Sequence, residues 1–580
     1  MIETDAIPAA NKLWVKPQIS EPGLIFQLSS DLGISEILAG LLVSRGIRDS
    51  ASALQFLNPG REQLHDPFLM DGMEQAVQRI HRALQAEEKV LVFGDYDVDG
   101  TTSVALIMKG LQAEFGEQIS FYVPDRYKEG YGISEEGINH AASLECTLII
   151  ALDCGIRSVD KVEYAKSLGI DFIICDHHLP GEQIPAAVAV LDPKKPGCHY
   201  PYKELSGAAI GYKLLQALHL RGIISVNPEN FADLVALSVA ADIVEMKGEN
   251  RVLAFLGLER INNRMSPVIS KMLDGATKEG SPASEKPAGI SDLVFKAAPL
   301  INAAGRIGHA SQAVNFLLSQ DENGINIGYA ALVQLNHKRV NLDKQITDEA
   351  LLIIRNSERL LNSQSTVLYN PEWHKGVVGI VASRVMEKYY RPTIILTGTE
   401  GKITGSARSV KGFDIHQAIS ACSDLLLQYG GHQAAAGLTL HEEYLERFIA
   451  RFEEVVSETL KIESKTEEIQ TDFELQPFEI NDKLYREINK LAPFGPGNMT
   501  PVFVATGLTD SGWARIVGNS HLKMKLGIPG SGFTDAIAFG QAYFFNDVSN
   551  NVPVDVCYTI DENHWNGRVN LQMMIKDMRK

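Results

Sequence analysis

Residues 89–100 read KVLVFGDYDVDG, a short apolar run that ends in a turn with three aspartates. Four more apolar runs follow within the next hundred residues, and each ends in, or just before, an aspartate. They are ISFYVPD (119–125), TLIIALDCG (147–155), DFIICDHH (171–178) and AVAVLD (187–192). Their length, their β-branched residues and the helix-compatible stretches between them are typical of parallel strands in an α/β sheet.

Acidic and imidazole side chains crowd the ends of three of these runs. Ligands bind just beyond the carboxyl ends of the strands in open parallel sheets, so we expect these side chains to converge on one crevice. They are Asp95, Asp97, Asp99, Asp153, Asp176, His177 and His178. Oxygen ligands combined with imidazole suit Mn²⁺ or Mg²⁺, and this many ligands leave room for two ions.

Other interpretations of the acidic residues remain open at this level. The segment DYDVDG (95–100) matches the start of a calcium-binding EF-hand loop, but Leu106 stands where that loop needs a bidentate Glu. It could also be a turn with surface aspartates, although three acids so close repel one another unless a cation joins them. Asp153 could cap the next helix. Asp242, in the apolar segment 236–246, could be a buried salt-bridge partner.

Composition bounds the class of protein. The chain has 580 residues, which predicts several domains. There is no uncharged apolar run of about 20 residues and no signal-peptide pattern at the N-terminus. The six cysteines form no C-x-x-C pair. These features favour a cytoplasmic protein without membrane association. The net charge of −18 argues mildly against nucleic acid as a partner, although local basic patches matter more than the sum.

The pattern changes after the first α/β domain. Apolar residues at three- and four-residue spacing predict a long, partly exposed connecting helix. A second α/β unit and then a β-rich region follow, and the latter is consistent with a small closed or partly open barrel. The predicted division is 1–74 (helical preface), 75–310 (first α/β domain), 311–360 (connecting helix), 361–465 (second α/β domain) and 466–580 (barrel).

One strand of the predicted barrel has a basic face. In HLKMKL (521–526), Lys523 and Lys525 share one side of the strand and apolar residues share the other. Trp513 and Arg515 lie on a neighbouring segment. Aromatic and basic groups on one sheet face form the usual platform for single-stranded nucleic acid. An ordinary solvated strand face is the alternative.

The chain resembles the DHH phosphoesterase superfamily over nearly its whole length, because seven segments occur in the expected order. They are GDYDVDGTTS (94–103), LDCG (152–155), CDHH (175–178), SGAAIGYKL (206–214), AADIV (240–244), INAAGRIGHA (301–310) and GGHQAAAG (430–437). The resemblance implies a parallel-sheet DHH domain, a DHH-associated domain and a C-terminal OB-fold. It also implies a metal-dependent exonuclease that degrades single-stranded DNA 5′→3′ to 5′-mononucleotides. Such enzymes act in DNA recombination and repair, with single-strand-binding protein as a partner.

The resemblance further implies a catalytic site with two ions, Mn²⁺ or Mg²⁺. Asp97 would hold the first ion and Asp99 the second, with Asp153 bridging both. His177 and Asp242 would complete the second ion's ligands.

Further roles follow from the same resemblance. Asp95 would replace a histidine that many relatives carry ahead of the Asp-x-Asp pair, and His178 would contact the scissile phosphate. Arg306 and His309 would also contact phosphate. The DHH-associated domain would bind substrate through residues that belong to its glycine-rich signature and to a nearby strand. They are Gly430, Gly431, His432 and Arg408.

Three alternatives accompany these implications. The glycine-rich signature could be a turn before a helix. Smaller relatives use the same kind of site on short RNA or cyclic dinucleotides. Some eukaryotic relatives are inactive single-strand-binding scaffolds, although those have lost metal ligands that this sequence keeps.

Overall fold

The N-terminal helices pack against the C-terminal end of the chain. The computed structural model describes residues 12–16, 21–275, 286–399, 401–461, 466–518, 520–565 and 568–580. The first elements are β1 (Leu13–Val15), α1 (Pro22–Leu32), α2 (Glu36–Ser44) and α3 (Ser50–Leu57). Ser35 and Asp49 cap α2 and α3 through their side chains. Buried leucines of α2 share a hydrophobic core with the barrel described below.

The five apolar runs form one parallel sheet, as the sequence predicts. The elements are α4 (Met73–Gln85), β2 (Lys89–Gly94), α5 (Val98–Phe115), β3 (Ile119–Tyr122), α6 (Glu135–Ser143), β4 (Cys146–Leu152), α7 (Val159–Ser167), β5 (Asp171–Cys175) and β6 (Ala189–Leu191). The strand order is β3-β2-β4-β5-β6, and every pair is parallel. One hydrophobic core covers each face of this sheet, which explains why its strands are continuous apolar runs rather than alternating ones.

Helices complete the first α/β domain. They are α8 (Gly207–Leu220), α9 (Ala232–Ala241), α10 (Gly248–Asn262), α11 (Pro267–Gly275), α12 (Ile290–Asp292), α13 (Ala298–Ile307) and α14 (Ser311–Leu318). Helix α5 is buried along most of its length and packs against α8, α9 and α14. It begins at Val98, so Asp99 lies in its first turn rather than in the loop before it.

The predicted connecting helix is divided into three. Helix α14 ends at Leu318, and the connection continues as α15 (Glu322–Arg355) and α16 (Glu358–Asn362). The break follows from Asp321, whose side chain accepts a hydrogen bond from the Gly324 backbone and begins a new helix. Helix α15 has 34 residues, so the two α/β domains are joined by one long helix, as expected.

The second α/β domain has a mixed sheet. Its elements are β7 (Thr366–Tyr369), α17 (Val378–Tyr389), β8 (Thr393–Thr399), β9 (Lys402–Arg408), α18 (Ile415–Ser420), β10 (Gln428–His432), β11 (Ala435–Leu440) and α19 (Leu445–Thr459). The order is β10-β11-β9-β8-β7, and only β7 and β8 pair in parallel among these described strands. The glycine-rich signature forms the hairpin β10–β11, so the alternative of a turn before a helix is wrong.

The C-terminal region is a closed barrel. It follows β12 (Glu468–Gln470), which pairs in parallel with β1 in a separate two-stranded sheet. The elements of the barrel region are β13 (Phe473–Glu474), α20 (Asp482–Asn489), β14 (Phe503–Asp510), β15 (Arg515–Val517), β16 (His521–Ile528), β17 (Gly532–Ala538), α21 (Phe545–Ser549), β18 (Val554–Trp565) and β19 (Arg568–Arg579). The order is β13-β14-β18-β19-β17-β16-β15, and an additional pairing of β14 with β16 closes the barrel. Among the described residues, no helix has both the length and the apolar composition needed to cross a membrane.

Candidate metal centre and substrate cleft

The turn after β2 delivers two carboxylates to the edge of the sheet. Asp95 is buried, and Asp97 caps α5 by accepting a hydrogen bond from the Gly100 backbone at 3.0 Å. A side chain at position 100 would place its Cβ 2.3 Å from the Asp95 carbonyl oxygen. Glycine is therefore required there, because the first turn of the helix packs directly on the backbone that carries Asp95.

The fully buried carboxylate of Asp99 is held by α8 and α9. It accepts hydrogen bonds from the backbone of Gly207 at 2.7 Å and of Ala208 at 2.9 Å, both at the start of α8. The Ser238 hydroxyl of α9 donates a third at 2.7 Å. The SGAA segment thus positions Asp99, a role that sequence reasoning missed.

Asp153, His177 and Asp242 meet Asp99 at the same point. The His177 Nε2 atom lies 3.1 Å from Asp153 Oδ1, 3.6 Å from Asp242 Oδ2 and 3.8 Å from Asp99 Oδ2. Asp153, directly after β4, has a left-handed φ of 59°, which non-glycine residues adopt rarely. Asp242 follows the last residue of α9, so it ends that helix rather than lying inside it.

These side chains fit a divalent-metal centre. In each of three groups of residues, the ligand atoms all lie within 4.8 Å of one another. One group contains only carboxylates, and the other two contain carboxylate and imidazole. The three groups are Asp95–Asp97–Asp153, Asp99–His177–Asp242 and Asp153–His177–His178. Asp95 Oδ1, His177 Nε2 and Asp242 Oδ2 are buried without a hydrogen-bond partner in the described part of the chain. Buried polar atoms without partners are costly, and a bound cation would satisfy all three.

The electrostatics of the cluster indicate the same need for cations. Burial, and then the charge of Asp97, raises the pKa of Asp95 well above its ordinary value. Burial and Asp99 raise the pKa of Asp153 in the same way, and they raise the pKa of Asp242 to about 9. Burial lowers the pKa of His177. The protein alone therefore disfavours the charged carboxylates that a bound cation would favour.

Asp176 supports the site instead of joining it, which corrects the expectation that its carboxylate enters the crevice. Its oxygens accept hydrogen bonds from the backbones of Ile156, His177 and His178, and Oδ1 lies 2.7 Å from His178 Nδ1. Burial lowers the pKa of His178, but the hydrogen bond to Asp176 and the negative charge of Asp176 outweigh burial, so the pKa of His178 is raised. The Tyr131 hydroxyl lies 3.1 Å from His178 Nε2. His178 is therefore held at the mouth of the cluster.

A cleft of about 680 Å³ opens beside the metal centre, between the two α/β domains. Tyr96, which stands between Asp95 and Asp97, lines one side. Five of the predicted substrate-binding residues also line the cleft: Arg306, Arg408, Gly430, Gly431 and His432. His309 is not among the residues that line it, and its imidazole instead lies 2.8 Å from the Ser311 hydroxyl. Its contact with phosphate stays a prediction.

The cleft is strongly cationic. Arg126, Arg306, Lys375 and Arg408 all line it, and no carboxylate forms a salt bridge with any of them within the described ranges. Burial, and then the charge of Arg126, lowers the pKa of Arg306 to about 10, so its guanidinium stays charged at neutral pH. These four cations are partly buried and lack a carboxylate partner in those ranges, which is the arrangement that phosphate oxygens neutralise. A local patch of this kind can bind an anion although the whole chain carries a net charge of −18.

The two glycines of the signature, Gly430 and Gly431, differ in whether the fold itself requires glycine. Gly431 has φ 145°, and a Cβ there would meet the Ala435 carbonyl oxygen at 2.3 Å, so the hairpin itself requires glycine. Gly430 has open space where a Cβ would stand. That space faces the cleft and would admit a ligand close to the backbone.

Sequence reasoning missed part of the cleft. Tyr96, Arg126, Tyr127 and Lys375 line it without having been selected. The Tyr127 hydroxyl donates to the Arg306 carbonyl oxygen at 2.5 Å, which links the loop after β3 to α13. Arg126 could have been found, because it follows the end of β3 and the strand-end rule applies to it as well. Lys375 carried no comparable signal.

The barrel brings its four predicted residues together. Arg515 pairs with Lys523 across β15 and β16, and its guanidinium lies 4.2 Å from the centre of the Trp513 ring. The Lys525 ammonium lies 5.5 Å from the same ring. Trp513 is 39% exposed, so a nucleobase could reach it. The alternation of β16 places its leucines and Met524 in the core and its lysines on this face.

Comparisons with known proteins agree with this architecture. Family models match as the DHH family N-terminal domain over residues 89–239, the DHHA1 domain over 362–458 and the RecJ OB domain over 471–577. The single-stranded-DNA-specific exonuclease RecJ of Bacillus subtilis is 35% identical, with 98% of this chain and 71% of that protein covered. RecJ of Salmonella typhimurium is 33% identical, with 95% and 97% covered. RecJ of Thermus thermophilus, solved with Mn²⁺, matches with a TM-score of 0.82 at 28% identity over 98% of this chain and 79% of that one. The same protein solved with Mg²⁺ gives 0.77, again at 28% identity, over 98% and 78%.

Proposed function

The chain belongs to the RecJ family of single-stranded-DNA-specific exonucleases, and from that premise we propose how its residues carry out the reaction. It is a metal-dependent exonuclease that acts on single-stranded DNA, with Mn²⁺ or Mg²⁺ as cofactor. The observation that carries the proposal is the convergence of Asp99, Asp153, His177 and Asp242 on one point beside a cationic cleft.

Two ions would be shared among the ligands that sequence analysis selected. Asp95, Asp97 and Asp153 would hold the first ion, and their ligand atoms form one group of neighbours. Asp99, His177 and Asp242 form another group and would hold the second ion together with Asp153, whose Oδ1 atom lies 3.1 Å from His177 Nε2. When bound, such ions supply an activated water and stabilise charge on the attacking and leaving oxygens of an in-line displacement.

The remaining residues bind and orient the DNA. Asp176 holds the His178 ring through Nδ1 at 2.7 Å, so His178 Nε2 would face a phosphate oxygen of the DNA. Arg306 and Arg408 would neutralise phosphates in the cleft, and Arg126 joins them. Gly430 and Gly431 would let the DNA backbone approach β10 closely. His432, next in that strand, would complete this contact.

We assign the polarity 5′→3′, with release of 5′-mononucleotides. The physical support is the position of the arginine-lined cleft directly beyond the metal centre, where a terminal 5′-phosphate would bring the most negative charge to the most concentrated cations. The cleft lies between two domains, and we propose that a duplex is too wide and stiff to enter it. The barrel face around Trp513 would hold the strand farther from the cleaved end.

Oligonucleotides labelled at either end test this assignment. With Mn²⁺, a strand labelled at its 5′ end should release labelled mononucleotide at once, whereas a 3′-labelled strand should shorten progressively. EDTA should stop both reactions. Immediate release of the 3′ label would contradict the polarity, and equal degradation of a blunt duplex would contradict the exclusion of duplex. A panel with short RNA and cyclic dinucleotides checks the substrates that smaller relatives use.

We also propose the division of the chain into domains, the compartment of the enzyme and its partner. The domains would divide at the predicted boundaries, 1–74, 75–310, 311–360, 361–465 and 466–580. The enzyme would act in the cytoplasm in DNA recombination and repair, which is consistent with its six free cysteines. Single-strand-binding protein would be its partner, because it covers the DNA that the enzyme degrades.

A further inference from the structure

The turn that carries Asp242 is held in an unfavourable backbone conformation. Asp242 ends α9, and its backbone still donates to the Ser238 carbonyl oxygen at 2.9 Å. The next residue, Ile243, has φ 59°, which a β-branched side chain rarely adopts. Ile243 is also 74% exposed, so burial of its side chain does not compensate for this conformation. Contacts elsewhere must hold the turn.

Those contacts lie at the far end of the turn. The Met246 backbone donates to the Pro496 carbonyl oxygen at 2.6 Å, and the Met246 side chain is fully buried. The Glu245 carbonyl oxygen accepts hydrogen bonds from the Asn250 amide at 3.1 Å and from the Tyr202 hydroxyl at 3.3 Å. One of the anchors therefore comes from a distant segment, the loop 493–498 that leads into the barrel.

That loop is stiff in its own right. Gly495 and Asn498 exchange backbone hydrogen bonds of 3.0 and 2.9 Å. The buried Asn498 amide donates to the Leu491 and Pro493 carbonyl oxygens, both at 2.8 Å, and its oxygen accepts from Arg45 Nε at 2.7 Å. The loop therefore offers a fixed surface to whatever packs on it.

The fit between loop and turn leaves no free space. A Cβ at Gly495 would lie 3.1 Å from both Cβ and Cε of Met246. The Met246 Cβ can move only with its backbone, so a side chain at position 495 would displace the residue that anchors the turn.

We infer that the loop 493–498 positions Asp242 for the metal centre, with Met246 as the contact point. The inference rests on the proposed role of Asp242 as a ligand of the second ion. Groups that orient metal ligands typically change metal affinity by about 10- to 100-fold when they are altered. The barrel and the catalytic domain would then be coupled here by the Met246–Pro496 backbone hydrogen bond and by the packing of Met246 on Gly495. These contacts add to the hydrogen bonds that Arg251 donates to the Leu491 and Ala492 carbonyl oxygens.

Calorimetric titration of the metal-free full-length protein with MnCl₂ tests the inference without DNA. Gly495→Val pushes on Met246, and Asn498→Ala loosens the loop without touching the turn. We expect both variants to bind one of the two ions about tenfold more weakly and the other with unchanged affinity. Exonuclease activity of both should return towards the wild-type rate as Mn²⁺ is raised, which a general structural defect would not allow. If Gly495→Val does not fold, Asn498→Ala carries the test.

Tyr558→Phe is the matched control, because it removes a buried hydrogen bond of 2.6 Å to the Leu475 carbonyl oxygen inside the barrel and leaves the loop intact. It should bind both ions normally. Wild-type affinity for both ions in the two loop variants, or an activity loss that Mn²⁺ does not reverse, would overturn the inference. Asp242→Asn tests the role of Asp242 as a ligand separately from the role of the loop. This variant should lose the same ion, and unchanged binding of that ion would overturn the assignment of Asp242 as a ligand.

Discussion

The acidic metal centre and the arginine-lined cleft are neighbours that bury charge of opposite sign. In the metal centre, burial and mutual repulsion raise the pKa of Asp95, Asp153 and Asp242, so the protein alone favours their neutral forms. In the cleft, burial lowers the pKa of Arg306 only to about 10, and the guanidinium stays charged at neutral pH. Carboxyl groups can give up their charge where arginine cannot.

Because carboxyl groups and arginines respond differently to burial, the metal centre and the cleft depend on different ligands. The carboxylates regain their charge when divalent cations bind, whereas the arginines need an anion from outside the protein. A phosphodiester with its metal ions supplies both. Four variants test whether the metal centre and the cleft depend on different ligands.

Asp153→Asn should abolish cleavage while DNA binding persists. The carboxylate is shared between two of the three ligand groups, and its removal should slow the reaction by roughly a thousandfold or more. Asn keeps the size of the side chain and tolerates the left-handed φ of position 153. The measurements are the cleavage rate of a labelled oligonucleotide and its binding by fluorescence anisotropy. More than a tenth of the wild-type rate would show that the metal centre does not depend on Asp153.

Arg408→Ala should weaken the cleft without disturbing the metal centre. Loss of a charge-assisted hydrogen bond to phosphate should lower kcat/KM by about 10- to 100-fold, mainly through KM. Mn²⁺ affinity measured by calorimetry should stay unchanged. Arg451→Ala on the same domain is the matched control, because Arg451 is exposed and pairs only loosely with Asp424 at 3.7 Å. Equal kinetics for the two variants would remove Arg408 from the substrate site.

Trp513→Ala should affect long strands more than short ones. Each stacked base contributes about 1–3 kcal/mol, so binding of a long oligonucleotide should weaken by roughly 5- to 100-fold. An oligonucleotide too short to reach the barrel should be cleaved at the wild-type rate. A length series measured by anisotropy and by initial rates distinguishes these cases. The same loss at every length would mean that Trp513 acts through folding rather than through contact with DNA.

Asp192→Asn measures how much a buried carboxyl group that is not a proposed metal ligand destabilises the fold. Asp192 follows β6 at the same sheet edge but belongs to none of the three ligand groups, and burial raises its pKa to about 7. Its Oδ1 accepts from the Lys194 backbone at 2.7 Å, which the amide oxygen of Asn can replace. Because the folded pKa lies above the ordinary value of 3.8, Asp192 stabilises the fold fully below pH 3.8 and loses that contribution as the pH rises through about 7.

The variant should therefore gain stability relative to the wild type as the pH rises from about 4 to about 8, by up to about 4 kcal/mol, because burial raises the pKa of Asp192 from 3.8 to about 7. Denaturant unfolding in EDTA at several pH values measures the difference, in which contributions from the other carboxyl groups cancel. Parallel stability curves would mean that Asp192 is not penalised by burial.

Much of the first domain follows from local pattern. The apolar runs at residues 89–94, 119–122, 146–152, 171–175 and 189–191 are strands, because β-branched runs of that length are buried on both faces of a parallel sheet. The carboxyl ends of such strands share one edge, so the meeting of Asp97, Asp153 and His177 could be predicted without coordinates. The basic and apolar faces of β16 follow equally from the two-residue period of a strand.

The sequence alone determined which chemical groups stand at the strand ends, because period and strand order are encoded locally. The contacts between distant segments came from the packing of whole helices and domains. Asp242 was expected as a ligand from the resemblance, but only helix packing places it 3.6 Å from His177 and places the start of α8 on Asp99. Domain packing brings Arg126 to Arg408 and Pro496 to Met246. These contacts depend on how whole helices and domains dock, and no local spacing records that geometry.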